Sequence, residues 1–140
     1  MTPYDPHGAD VNPRELTERI GILKWLEIRF VEQGADDRVV AEMPVTDQMK
    51  NLLGIPHGGS VATLIDYTAG MACALLTPFR VSTADMHVRY LAPARGSVVR
   101  AEGTILRAGK RLVIVEVRVS DDEGTFVATA TAAMAPINPG

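Results

Sequence analysis

Gly58-Gly59-Ser60-Val61-Ala62-Thr63-Leu64-Ile65-Asp66-Tyr67-Thr68-Ala69-Gly70-Met71-Ala72-Cys73-Ala74-Leu75-Leu76 contains one formal charge, Asp66. A run of this length, apolar on nearly every side and followed by Pro78, predicts a helix over residues 58–76. A membrane helix needs ~20 predominantly apolar residues. This stretch has glycines, threonines and a serine, and its aspartate sits near the centre, where a charge is costly. The segment therefore reads as a helix buried within a domain and covered on most sides.

The flanks say what covers it. Asn12-Pro13 reads as an N-cap and first helical turn, opening a short helix to about Ile20 or Leu23. Residues 25–32 and 37–45 read as strands joined near Gln33-Gly34, and residues 49–56, with Gly54 and Pro56, as a loop. After the helix the pattern is β throughout, over residues 81–91, 97–106 and 112–120 and a last strand. Val113, Val115, Val117 and Val119 alternate on one face. Turns are expected at Ala108-Gly109-Lys110 and Asp121-Asp122-Glu123-Gly124. Phe126, Ala128, Ala130, Ala132 and Met134 are expected to line one face of the last strand. The expected fold is α+β: a short helix, two strands, the long helix, then four strands in a meander. One antiparallel sheet of five or six strands would curl round the helix. Part of the helix would stay uncovered, so a second subunit is expected. The chain reads as one domain, residues 1–140, with residues 1–24 an extension and 25–135 the core.

Composition narrows the function classes. Of 140 residues, 46% are hydrophobic and 22% charged, a globular balance. The net charge is −3 and no basic run exceeds two residues, which argues against nucleic acid as a partner. Cys73 is the only cysteine, which excludes an internal disulfide or a cysteine-based zinc site. His7, His57 and His87 lie far apart, so no metal or other cofactor is expected. Residues 1–10 are polar and proline-rich without a signal pattern, which makes the cytoplasm the expected compartment.

Two features could carry chemistry. An aspartate inside an apolar helix loses hydration and has poor helix propensity. Asp66 could simply bond a nearby hydroxyl, Thr63 or Tyr67, but its isolation points towards function. In Pro56-His57-Gly58-Gly59 the glycines permit a tight turn and leave backbone N–H groups open to a ligand. At a helix start those groups lack intrahelical partners and could form an oxyanion hole; the glycines could equally serve close packing. Gly58 and Asp66 lie ~12 Å apart along a helix axis. Both would have to stand within ~3 Å of one carbonyl. If both are catalytic, two chains must share the site, each lending its aspartate to the other's turn.

The stretch Asn51-Leu52-Leu53-Gly54-Ile55-Pro56-His57-Gly58-Gly59, followed by Ala62-Thr63-Leu64-Ile65-Asp66, resembles the signature of PaaI-type hot-dog thioesterases of the hydroxybenzoyl-CoA thioesterase superfamily. Asp85-Met86-His87-Val88-Arg89-Tyr90-Leu91-Ala92-Pro93-Ala94 and the Arg107-Ala108-Gly109-Lys110 turn extend the resemblance. It implies a hot-dog fold and hydrolysis of acyl- or aryl-CoA thioesters by a dimer or dimer of dimers, with CoA present only as part of the substrate. Asp66 matches the catalytic carboxylate, activating water or attacking directly. Gly58 matches the backbone N–H that polarises the carbonyl, with Gly59 beside it at the substrate. Asn51 and His57 match side chains that orient the thioester, and Thr83 a hydroxyl that positions water. Strict alternation, however, puts Thr83 on the face of Asp85, His87 and Arg89 unless a bulge intervenes, and Ser82 is then its substitute. Arg107, Lys110 and Arg111 are candidates for the CoA phosphates, with Arg89 and Arg95 as rivals. Cys73 is expected in the core, and Trp25 and the methionines in the core or an acyl tunnel. The competing readings are a non-catalytic acyl-CoA sensor and a hot-dog dehydratase. The first lacks a partner-reading element such as a helix-turn-helix in residues 1–24. The second would carry a different Asp/His arrangement.

Overall fold

The structure, a computed structural model, describes residues 12–137. Asn12 caps α1 (Pro13–Arg19) by accepting the Arg14 N–H at 3.1 Å. Next come α2 (Gly21–Trp25), β1 (Arg29–Gln33), β2 (Arg38–Pro44) and a 3-10 turn, Asp47–Met49. The long helix α3 occupies Gly58–Leu76 and stops where Thr77, ahead of Pro78, is held extended. The strands β3 (Val81–Tyr90), β4 (Val98–Ala108), β5 (Val113–Asp121) and β6 (Phe126–Pro136) complete an antiparallel six-stranded sheet in the order β1-β2-β4-β5-β6-β3.

The sheet curls round α3, as expected of the hot-dog fold. Leu64, Ile65, Ala69, Ala72 and Cys73 of the helix are fully buried against Val113, Val115, Val117 and Val119 of β5. β4 crosses at Gly103, where a Cβ would stand 3.1 Å from Thr68 Cγ2, so the missing side chain lets strand and helix touch. Thr68 is buried but satisfied, donating to the Leu64 carbonyl at 2.7 Å. By length and composition α3 could cross a membrane, but more than half of its most apolar window, 56%, is buried inside the domain.

Three expectations need correction. Trp25 ends a helix rather than opening a strand: Leu23 and Leu26 are buried at helical spacing, Trp25 is 56% exposed, and Glu27, at φ 58, turns the chain into β1. Only β4, β5 and β6 form a meander. β3 instead pairs with β6 as the far edge of the sheet. The crossing from β3 to β4 is held by Asp121, whose carboxylate accepts the N–H groups of Arg95, Gly96, Glu123 and Thr125 at 2.7–3.1 Å. Phe126 faces outward under the Arg118 guanidinium, 4.5 Å from its ring centre, because β6 has one extra residue there. Val127 takes the inward place.

Candidate active site

Asp66 is half-buried in the third turn of α3. Its Oδ1 accepts a hydrogen bond from Thr83 Oγ1 at 2.5 Å. Thr63 and Tyr67 have other partners, the carbonyls of Gly59 (2.9 Å) and Pro13 (3.3 Å). Thr83 reaches the helix through a β-bulge. Thr83 pairs with Met134 and Asp85 with Ala133, leaving Ala84 as the extra residue. That bulge turns Thr83 to the inward face shared with Met86, Val88 and Tyr90, and strict alternation fails at this point. Ser82 is exposed and has no described contact with Asp66.

The other half of the site is the start of α3. His57 is the N-cap: its Nδ1 accepts the Gly59 N–H at 3.3 Å, and its carbonyl accepts from the Ser60 and Val61 N–H groups at 3.0 and 3.3 Å. Because Nδ1 accepts, a neutral imidazole presents Nε2–H as a donor. The Gly58 N–H has no acceptor among the described residues. It therefore keeps its share of the positive end of the helix dipole. The Gly58 carbonyl accepts from the Tyr90 hydroxyl at 2.6 Å, and a Cβ on Gly58 would lie 3.2 Å from Tyr90 Cζ. Burial raises the Tyr90 phenol above its ordinary range, so it remains a donor at neutral pH.

Asn51 shapes the loop that leads into His57. Its Oδ1 accepts from the Leu53 and Ile55 N–H groups at 2.9 and 3.4 Å, round Gly54 at φ 74. Those contacts leave the amide Nδ2 as the end that can donate. A groove of ≈ 270 Å³ lies between Ile22 and Trp25 of α2, Met49, and the first turns of α3 at His57, Gly59 and Thr63. Arg107, Lys110 and Arg111 are exposed on the β4–β5 hairpin, and no described contact joins them to Asp66 or Gly58. Cys73 is buried, and burial pushes its thiol up to about 11. Among the described residues no group of three or more histidines, cysteines and carboxylates could hold a metal ion.

A helix wrapped by a sheet, with a histidine-glycine turn at its start and a carboxylate two turns on, is the arrangement of a hot-dog thioesterase. The chain belongs to the thioesterase superfamily, whose family model matches residues 53–128. It is 34% identical over 104 residues to mouse acyl-coenzyme A thioesterase 13, covering 72% of this chain and 74% of that protein. It is 30% identical over 138 residues to a provisionally designated esterase of Halobacterium salinarum, covering 94% and 90%. Thioesterase HI1161 of Haemophilus influenzae superposes with a TM-score of 0.83 at 22% identity, over 94% of this chain and 93% of that one. The E. coli PaaI protein does so with a TM-score of 0.79 at 21% identity, over 89% of each chain. These two likenesses establish the shared fold.

Proposed function

We propose that the protein hydrolyses acyl-CoA thioesters at sites shared between two copies of the chain. The observation that carries the reading is the Thr83–Asp66 hydrogen bond, set beside the unpartnered Gly58 N–H at the helix start. The Gly58 N–H, with Asn51 Nδ2 and His57 Nε2 as further donors, would receive the thioester carbonyl oxygen as it gains negative charge. Asp66 of the partner subunit, held through Oδ1 by its own Thr83, would take a proton from water with Oδ2. The water oxygen bonds to the carbonyl carbon. The tetrahedral intermediate then expels CoA thiolate, which takes up the proton held on Asp66, leaving the free acid and the regenerated carboxylate. No metal or cofactor enters these steps. The acyl group would lie in the apolar groove beside Trp25, and the exposed hairpin cations Arg107, Lys110 and Arg111 would meet the nucleotide phosphates from outside. The expected compartment is the cytoplasm.

A thiol-release assay across short, long and aryl acyl-CoAs tests this. Turnover should fall by about 10²–10⁴ in Asp66→Asn, with far-UV circular dichroism unchanged. Undiminished turnover would refute the role of Asp66. Tight binding of an acyl-CoA without turnover by the native chain would instead identify a sensor.

A further inference from the structure

The proposed steps make no use of Tyr90, although it bonds the turn at which they occur. It ends β3, and its hydroxyl donates to the Gly58 carbonyl, 32 residues away in sequence, at 2.6 Å. That carbonyl and the Gly59 N–H belong to one peptide unit, which is planar and trans. The two groups therefore point in opposite directions from one rigid plate. On the other side of the plate the Gly59 N–H donates to His57 Nδ1 at 3.3 Å. The order is thus Tyr90 Oη–H, Gly58 C=O, Gly59 N–H, His57 Nδ1. A neutral imidazole whose Nδ1 accepts must carry its proton on Nε2.

The local sequence gives this turn little rigidity of its own. Helix ends fray, and glycine holds a helix weakly because its backbone has the most freedom to lose. Gly58 and Gly59 open α3 at the point where its donors have to be fixed, and neither has a side chain to dock. A hydroxyl brought in on the sheet supplies the missing anchor. The space is matched to it. A Cβ on Gly58 would lie 3.2 Å from Tyr90 Cζ and 3.3 Å from Oη, closer than ordinary contact, so glycine at this position lets the hydroxyl reach the carbonyl. Hydrogen bonds in series also polarise one another, so the bond accepted by the Gly58 oxygen strengthens the Gly59 N–H as a donor to His57.

We propose that Tyr90 is a positioning residue: acting through the Gly58–Gly59 peptide, it holds the His57 ring with Nδ1 as acceptor and Nε2–H as the donor offered to the thioester carbonyl. It works through His57 and needs no contact with the substrate. Only the identity of the group that Nε2–H meets rests on the thioesterase reading; the state of the ring does not. A tyrosine that merely packed on the turn would need its ring and not its hydroxyl, so Tyr90→Phe separates the two roles.

Nitrogen NMR on the full chain, labelled with ¹⁵N-histidine and free of substrate, reads the ring directly at a pH where imidazole is neutral. The His57 signals are assigned by their loss in His57→Ala. The native chain should show Nδ1 unprotonated and Nε2 protonated, a single tautomer. In Tyr90→Phe the two ring signals should draw together, towards those of a free neutral histidine. Thiol release supplies a second readout. Tyr90→Phe should lower kcat about fivefold, the worth of one neutral hydrogen bond, and change KM less than about twofold. In a His57→Ala background the same change should cost less than about twofold, because the group it acts through is gone. Ring signals that stay at their native positions in Tyr90→Phe overturn the proposal. So does an undiminished kcat, or a full fivefold loss in the His57→Ala background. If the native chain turns over no acyl-CoA, the thioesterase reading fails and the ring signals alone decide the role of Tyr90.

Discussion

Thr83 is the residue at which alternation and structure part, and it carries a prediction of its own. Its hydroxyl holds one oxygen of Asp66, and the other has no described hydrogen-bond partner. Thr83→Val should lower kcat about tenfold with little change in KM, while Thr83→Ser should retain most of it, because one hydrogen bond to a charged group is removed or kept. Steady-state kinetics on both variants separates this positioning role from a packing role, which the serine variant would not rescue. Trp25 is open to a second test: Trp25→Ala should widen the groove and shift acyl preference towards bulkier chains, read from kcat/KM across a length series. Asp66, His57 and Gly58 were legible in the sequence because a lone charge in an apolar helix and a glycine pair at its start are local signals. Thr83 meets Asp66 only through a bulge, which depends on pairing with β6 and leaves no mark in the composition of β3. The bond from Tyr90 to the Gly58 carbonyl was not legible, because it joins positions far apart in sequence.

At the scale of elements, Asp121 is the clip between the β3–β4 crossing and the β5–β6 turn. Burial pushes its carboxyl up, but backbone N–H groups from Arg95, Thr125, Gly96 and Glu123 outweigh that and hold it at about 2. Its folded pKa lies below the unfolded value near 3.8, so its contribution to stability is present above about pH 4. That contribution is lost as the pH falls from 4 through 2. Asp121→Asn should cost about 1.5–3 kcal/mol at pH 7, and its deficit relative to the native chain should shrink by pH 2.5. Thermal or urea unfolding at the two pH values checks both statements. The bounds of α3 were readable because Gly58 and Pro78 punctuate it. The neighbour of β3 was not, since pairing with β6 is a contact across some 45 residues that no local pattern encodes. The end of α2 beyond Leu23 was not legible for a different reason. Leu23 and Leu26 bury three residues apart in a segment too short to display a period.

At the scale of the whole molecule, one geometric fact dominates. The carboxylate and the free N–H at the start of α3 are ~12 Å apart on one rigid helix, so a single copy cannot bring both to one carbonyl. The proposed sharing of the site between chains could be argued from that spacing before any coordinates. The most direct test of the shared site mixes two inactive variants. Asp66→Asn removes the carboxylate. Gly58→Pro removes the N–H at the first helical position, where proline is tolerated and where His57, at φ −62 and ψ 137, already has the backbone a following proline requires. Each variant alone should be inactive in thiol release. After denaturation and joint refolding at equal amounts, half of the dimers should be hybrids, and each hybrid has one site that draws an intact Gly58 and an intact Asp66 from different chains. Activity should return to about a quarter of the native value. A mixture as inactive as its components would show that each site lies within one chain and would contradict the account.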